Sequence, residues 1–213
     1  MNDIPHYIDH TNLNQDAIKT DIIKLCEEAI QFGFAAVCVN PVHVELVSSL
    51  LKNEKSKVCT VIGFPLGADS SEMKFAETRF LIDKGAQELD MVLNVGALKQ
   101  GEIGVIKNEI GKVVNASNGR CVKVIIETCL LTNDEKILAC NIARESGANF
   151  IKTSTGFSFG GATIDDVKLI RKTVGKNMGV KASGGIKTLL DFQSMVEVGA
   201  SRIGTSSGIY IVS

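Results

Sequence analysis

With 213 residues, 45% of them hydrophobic, and a mean hydropathy of +0.17, the chain can build one large domain or two small ones, and a single domain spanning 1–213 is the simpler reading. Lys+Arg 23 against Asp+Glu 24 gives a formal charge of -1 with no basic face or like-charge run, which argues against nucleic acid or an anionic membrane as partner and for a small molecule. The six cysteines are scattered through apolar stretches without a CxxC pair, "MNDIPHYIDH" is not a leader segment, and no apolar run approaches the roughly 18 residues of a membrane span, so a soluble, reduced, cytoplasmic protein without disulfides is expected.

Short apolar runs alternate with longer amphipathic ones, the pattern of a parallel sheet covered by helices. "HYIDH" (6–10) reads as the first strand and is followed by a helical segment over 15–33. "AAVCVN" (35–40) then precedes a helix over 41–52 that opens on Pro41, a residue suited to a first helical turn. "KVCTVIGF" (57–64) leads to a helix over 71–85, and "ELDMVLN" (88–94) to a longer polar and apolar stretch. "VKVIIET" (122–128) is followed by a helix over 133–147, then come "NFIKTS" (149–154), "GVKAS" (179–183) and "SRIGTS" (201–206).

Gly33, Gly85, Gly147 and Gly199 each end a helix shortly before a strand, about 52, 62 and 52 residues apart, as in four copies of a double βα unit with one insertion. Eight βα units suggest an α/β fold of the closed (β/α)8 type, a TIM barrel. An open doubly wound sheet is the alternative, though no "GxGxxG" follows the first strand. Little chain remains after "GTSSGIYIVS", so the last helix should be short or missing.

Parallel strands covered on both faces should be apolar throughout, which makes Lys152, Asp90 and Lys181 conspicuous. In "ELDMVLN" Leu89, Met91 and Leu93 share the face suited to the helices, so Asp90 points into the barrel and needs cations or donors to meet it. Lys152 on strand six and Lys181 on strand seven, about 4.8 Å apart by strand spacing, can supply them at the end of the barrel where active sites lie. One carboxylate against two ammonium groups leaves an excess positive charge, which the loss of one proton balances. A neutral lysine attacks carbonyls and forms a Schiff base. Lys181 read alone fits better as an ion-pair partner of Asp90, since structural pairs also perturb such groups.

The glycine-rich "SGGI" and "GTSSG" follow strands seven and eight, where barrels commonly bind phosphate. Backbone N–H groups at Gly184 and Gly185 with the hydroxyls of Ser206 and Ser207 can surround an anion, although tight turns and caps would use the same residues. His6 and His10 share a strand face too far apart to chelate, and no third ligand is evident, so no metal and no cofactor is expected. Glu127, at the active-site end of strand five, is a pocket group or a structural partner.

"YIDHTNL", "AAVCVNP", "VIGFPLG", "ELDMVLNVGAL", "VKVIIET", "FIKTSTGFSFGGAT", "GVKASGGI" and "GTSSG" together make nearly the whole chain resemble the deoxyribose-phosphate aldolases, class I aldolases with a barrel fold. The resemblance implies reversible, metal-free cleavage of 2-deoxy-D-ribose 5-phosphate to D-glyceraldehyde 3-phosphate and acetaldehyde, a phosphorylated sugar and aldehydes as the small-molecule partners, and a homodimer as one admissible assembly. It also implies Lys152 as the Schiff-base lysine, Asp90 and Lys181 as proton handlers acting through a water, and pocket roles for Asp9, Thr11, Cys38 and Gly156. By the residue reading alone, Cys38 is a small packing residue. Two departures stand out. Phe157 follows Gly156 where some members carry a lysine, and the chain ends at Ser213 without the tail tyrosine of others, for which Tyr210 is not an obvious substitute. A phosphate-binding barrel isomerase with a carboxylate base and a noncatalytic sugar-phosphate binder are the competing classes, and neither needs an amine nucleophile.

Overall fold

A computed structural model describes residues 3–213; the expected domain bounds take in Met1 and Asn2, which lie outside the described residues. Eight parallel strands close in sequence order into a barrel: β1 (Ile8–Asn12), β2 (Ala36–Val39), β3 (Lys57–Ile62), β4 (Glu88–Val92), β5 (Cys121–Ile125), β6 (Phe150–Lys152), β7 (Gly179–Ser183) and β8 (Arg202–Thr205). β8 returns to β1 through the pairs Ile8 with Ile203, Asp9 with Gly204 and His10 with Thr205. The expected (β/α)8 barrel is the fold observed. One correction concerns its start: His6 lies in a 3-10 turn, Ile4–Tyr7, not in β1. Pro5 explains it, since its fixed φ and missing N–H suit a helical first turn better than a ladder position.

The outer layer consists of α1 (Lys19–Phe32), α2 (Val44–Leu50), α3 (Ser71–Asp83), α4 (Val95–Lys99), α5 (Ile103–Ala116), α6 (Asn133–Glu145), α7 (Ile164–Val174), α8 (Leu189–Glu197) and α9 (Gly208–Val212). The wide central spacing of the repeat has a physical source: α4 and α5 both lie between β4 and β5. The final helix is α9, only five residues long, in line with the little chain available. Four helices begin where a hydroxyl satisfies an orphan N–H: Ser70 for Met73, Thr132 for Glu135, Thr163 for Asp166 and Thr188 for Asp191.

The four glycines of the repeat all adopt positive φ, from 72° at Gly33 to 115° at Gly199, and end α1, α3, α6 and α8. The residue two positions later donates its N–H to the preceding strand in every copy: Ala35 to Ile8 O, Gln87 to Val58 O, Asn149 to Val122 O and Ser201 to Val180 O. In three copies its side chain also accepts from that strand, Gln87 from Val58 N at 3.1 Å, Asn149 from Val122 N at 2.8 Å and Ser201 from Val180 N at 3.0 Å. The repeat is therefore a docking device that sets each even-numbered strand against the odd one before it.

Strand alternation divides the core. Outward-facing Leu89 and Met91, both fully buried, pack against the helices, each contributing roughly 1.5–3 kcal/mol of apolar burial. Inside, Ala36, Cys38, Cys59 and Val61 of β2 and β3 join Leu13 in a small apolar cluster, while the other strands send charged side chains inward. At the barrel's N-terminal end Gly179 leaves room for Phe150, whose ring would lie 2.2 Å from a Cβ at 179.

A buried ion pair also braces the barrel from outside. Lys74 of α3 lies 2.8 Å from Glu109 of α5 and donates to Gly67 O at 2.8 Å and Val92 O at 2.9 Å. Glu109 in turn accepts from Asn94 N at 3.1 Å, so the pair ties the loop after β3 to the end of β4.

Candidate active site

Asp90 is the centre of the interior. Its Oδ2 accepts from Lys152 Nζ at 2.9 Å and Lys181 Nζ at 2.7 Å, and its Oδ1 accepts from Lys123 Nζ at 2.8 Å. The strand registers produce this convergence: Asp90 pairs with Lys123, and Lys152, Lys181 and Arg202 fall in one row across β6, β7 and β8. Burial alone would raise the Asp90 carboxyl, but Lys123, Lys152 and Lys181 outweigh it and hold the group well below the ordinary carboxylate range.

The cluster is larger than the expected trio. Lys181 also binds Asp9, Lys123 lies 2.6 Å from Glu88, and Arg202 joins Asp9 at 2.6 Å to Glu88 at 3.2 Å. Three carboxylates thus face four cations, and the single excess positive charge inferred from the trio persists in the full set. Burial favours neutral amines, yet Asp9 and Asp90 outweigh it and raise Lys181, while Asp90 and Glu88 among others do the same for Lys123.

Of the three lysines around Asp90, Lys152 has the fewest carboxylate contacts, and it alone reaches the open cavity. The cavity, of about 840 Å³, lies at the C-terminal end of the barrel and is lined by Thr11, Gly156, Gly184, Gly185 and Ser206 among others. Thr11 is fixed by a hydrogen bond to Asp9 O at 2.7 Å. Gly184 and Gly185 have φ of 86° and 83°, conformations that disfavour other residues. Gly184 also lies against the loop after β6: a Cβ on Gly161 would stand 2.3 Å from Gly184 O.

Several expected pocket residues sit off the cavity wall. Asp9 is fully buried beneath it, committed to Lys181 and Arg202, and Cys38 lies fully buried in the apolar cluster with Cys59. Asp90 and Lys181 are likewise fully buried and off the cavity wall, Asp90 meeting it through the hydrogen bond it accepts from Lys152 at 2.9 Å. Ser207, unlike Ser206, is not among the residues lining the cavity, and its N–H is given to Thr205 Oγ1 at 2.9 Å. Glu127, held at a positive φ of 52°, accepts from the N–H and hydroxyl of Thr155, and so anchors the loop carrying Gly156 and Phe157 rather than pairing with a lysine. Phe157 is half-exposed and meets Phe64 edge-on at 5.2 Å.

Lys123, Glu88 and Arg202 escaped the sequence reading, although a charged residue within an apolar strand is the signal that singled out Lys152. Lys187, directly after the loop of Gly184 and Gly185, lines the cavity and brings a cation to its mouth. Cys38, Cys59 and Asp90 place potential metal-ligand atoms within 4.8 Å of one another. The Lys123 ammonium, 3.3 Å from Cys59 Sγ and 2.8 Å from Asp90 Oδ1, already provides positive charge there. Among the described residues no helix is long and apolar enough to cross a membrane.

Over nearly its whole length the chain is similar to deoxyribose-phosphate aldolases. A deoxyribose-phosphate aldolase of Thermococcus gammatolerans is 58% identical over 214 residues, covering 99% of this chain and 95% of its own length. Another from a Geobacillus species is 57% identical over 212 residues, covering 99% and 95%. The tetrameric deoxyribose phosphate aldolase of Aeropyrum pernix has a solved structure that superposes with a TM-score of 0.93 at 34% identity, over 99% of this chain and 89% of that one. With the family model for the DeoC/LacD family aldolases matching residues 4–211, this chain belongs to that family.

Proposed function

We propose that the chain is a class I deoxyribose-phosphate aldolase with Lys152 as its nucleophile. The carrying observation is that Lys152 alone, among the three lysines around Asp90, lines the cavity. Arg202 stays charged in water and in proteins, and Lys123 is held by three carboxylates and Lys181 by two. Lys152 is therefore the cation whose proton can be released to balance the cluster.

The Lys152 amine adds to C1 of the open-chain sugar phosphate, and loss of water leaves a protonated imine. The C3 hydroxyl then gives up its proton, the C2–C3 bond breaks, and its electron pair flows into the iminium. D-glyceraldehyde 3-phosphate departs, leaving an enamine. A proton is added at C2, and water hydrolyses the imine to release acetaldehyde and restore the amine. Asp90 and Lys181 are the proposed proton handlers, acting through a water; their support is the hydrogen bond that joins them beside Lys152. The imine is the electron sink, so the steps call on no metal or other cofactor.

Gly184, Gly185 and Ser206 offer the phosphate a cradle, with Lys187 at its edge and Gly156 beside Gly184. A carboxylate-base isomerase fits less well, because it leaves the cavity-lining amine of Lys152 without a role. Borohydride with acetaldehyde is expected to inactivate the protein and to add mass at Lys152 on peptide mapping, with a chelator having no effect. A label confined to surface lysines, or activity lost on chelation, would sink the proposal.

A further inference from the structure

Arg202 does not line the cavity, yet it is the end of a connected charge system. It lies at the start of β8, on the N-terminal side of the barrel interior, with its guanidinium over Phe150 at 5.7 Å from the ring centroid. Its Nη1 binds Asp9 at 2.6 Å and Glu88 at 3.2 Å, and these same carboxylates hold Lys181 and Lys123. Those two lysines fix both oxygens of Asp90, the sole carboxylate touching Lys152 among the described contacts.

Resting on the aldolase reading, we propose that Arg202 is a positioning residue for that reaction, acting through the buried charge network to set the pH at which the Lys152 amine becomes reactive. The charges involved are Asp9 on β1, Glu88 and Asp90 on β4, Lys123 on β5, Lys152 on β6, Lys181 on β7 and Arg202 itself. The thiols of Cys38, Cys59 and Cys121 face the same system from β2, β3 and β5. Burial raises Cys59 and Cys121, the latter to about 11, whereas the hydrogen bond with Cys59 draws Cys38 down. The direction of the Arg202 effect is independent of the Cys38 charge, because removing the guanidinium changes the total by one in either case.

With Arg202 present, four cations face three carboxylates and one lysine proton is surplus. Removing Arg202 leaves equal numbers, so Lys152 can remain protonated without surplus charge and becomes reactive only at higher pH. Removing the Glu88 charge does the opposite. Arg202 lies two strands from Lys152 in the same register row, roughly 10 Å by strand spacing. At an effective dielectric constant of about 20 that separation corresponds to a shift of about one pH unit.

The test is the rate of borohydride trapping with acetaldehyde, followed by mass mapping of Lys152 against pH, in the full chain. Arg202→Met is expected to move the half-maximal pH up by about one unit, Glu88→Gln to move it down, and Arg202→Met/Glu88→Gln to return it toward wild type. Arg202→Lys, which keeps the charge, should stay near wild type. Should Arg202→Met fail to fold, Glu88→Gln and Arg202→Lys still give a decision: no downward shift in the former, or an upward shift in the latter, overturns the proposal. An unchanged midpoint in a folded Arg202→Met protein, or shifts in the same direction for Met and Gln, also overturns it. A wild-type protein that is not labelled at Lys152 instead refutes the aldolase reading on which the proposal rests.

Discussion

Replacing Lys74 by methionine preserves most of the side chain's length but strands Glu109. In the native protein the Lys74 ammonium is buried 2.8 Å from Glu109 Oε2, and burial raises the Glu109 carboxyl even in its presence. Without Lys74 the folded protein can retain Glu109 by protonating it, whereas the unfolded chain ionises it at about 4.3. At pH 7 holding that proton costs about 1.4 kcal/mol for each of roughly 2.7 pH units, or about 3.7 kcal/mol, within the ~3–5 kcal/mol expected for breaking a buried pair. The folded value is raised, so the folded state binds a proton that the unfolded state has released. Stability therefore falls as pH rises above about 4.3 and recovers as pH falls. Loss of donors to Gly67 O and Val92 O adds a pH-independent penalty of about 1–3 kcal/mol. The pH-dependent part alone is expected to lower Tm by roughly 7–15 °C at pH 7 and to shrink to about 1 kcal/mol at pH 5. Lys74→Met/Glu109→Gln should lose that pH dependence, since Gln can still accept from Asn94 N as Glu109 does at 3.1 Å. Thermal and urea melts followed by circular dichroism between pH 5 and 7 measure both effects. A deficit as large at pH 5 as at pH 7, or a double variant no more stable than the single one, would refute the reasoning.

Lys181→Met removes the cation that shares Asp90 Oδ2 with Lys152, and borohydride labelling of Lys152 should persist but require a pH about one unit or more higher; labelling absent at every pH would reassign the nucleophile. Ser206→Glu places a carboxylate on the cavity wall and should reduce kcat/KM for deoxyribose 5-phosphate about 10-fold or more beyond any loss with plain deoxyribose, while equal losses in steady-state assays would locate the phosphate elsewhere. Gly179→Ala drives a Cβ into the Phe150 ring, 2.2 Å away, and is expected to cost about 1–3 kcal/mol in urea denaturation; an unchanged midpoint would show that the ring moves freely.

The barrel was legible because its periodic signals are local. Glycine before a strand, hydroxyl before a helix and alternation within "ELDMVLN" each specify one element without reference to distant ones. The site was only partly legible. Lys152, Asp90 and Lys181 stood out from apolar strands, whereas Lys123 occupied an equally apolar strand and was passed over. Glu88 and Arg202 occur at strand starts, where charge ordinarily means solvent, and their inward direction depends on barrel closure. The position of Asp9 likewise depends on closure, because its partner Lys181 is 172 residues away. Ser207 could not be separated from Ser206 by composition, and the internal hydrogen bond to Thr205 makes the distinction.

The docking device at the helix ends divides the barrel into four two-stranded panels. Polar side-chain clamps occur within three of them, β3 with β4, β5 with β6 and β7 with β8, while Ala35 occupies the corresponding place between β1 and β2. New termini placed between panels leave each clamp on one continuous segment, whereas a cut inside a panel separates the polar residue from the strand it holds. Circular permutants opened after β4 or β6 should therefore assemble more readily than those opened after β3 or β5, making the panel a natural unit for rearranging or recombining the chain.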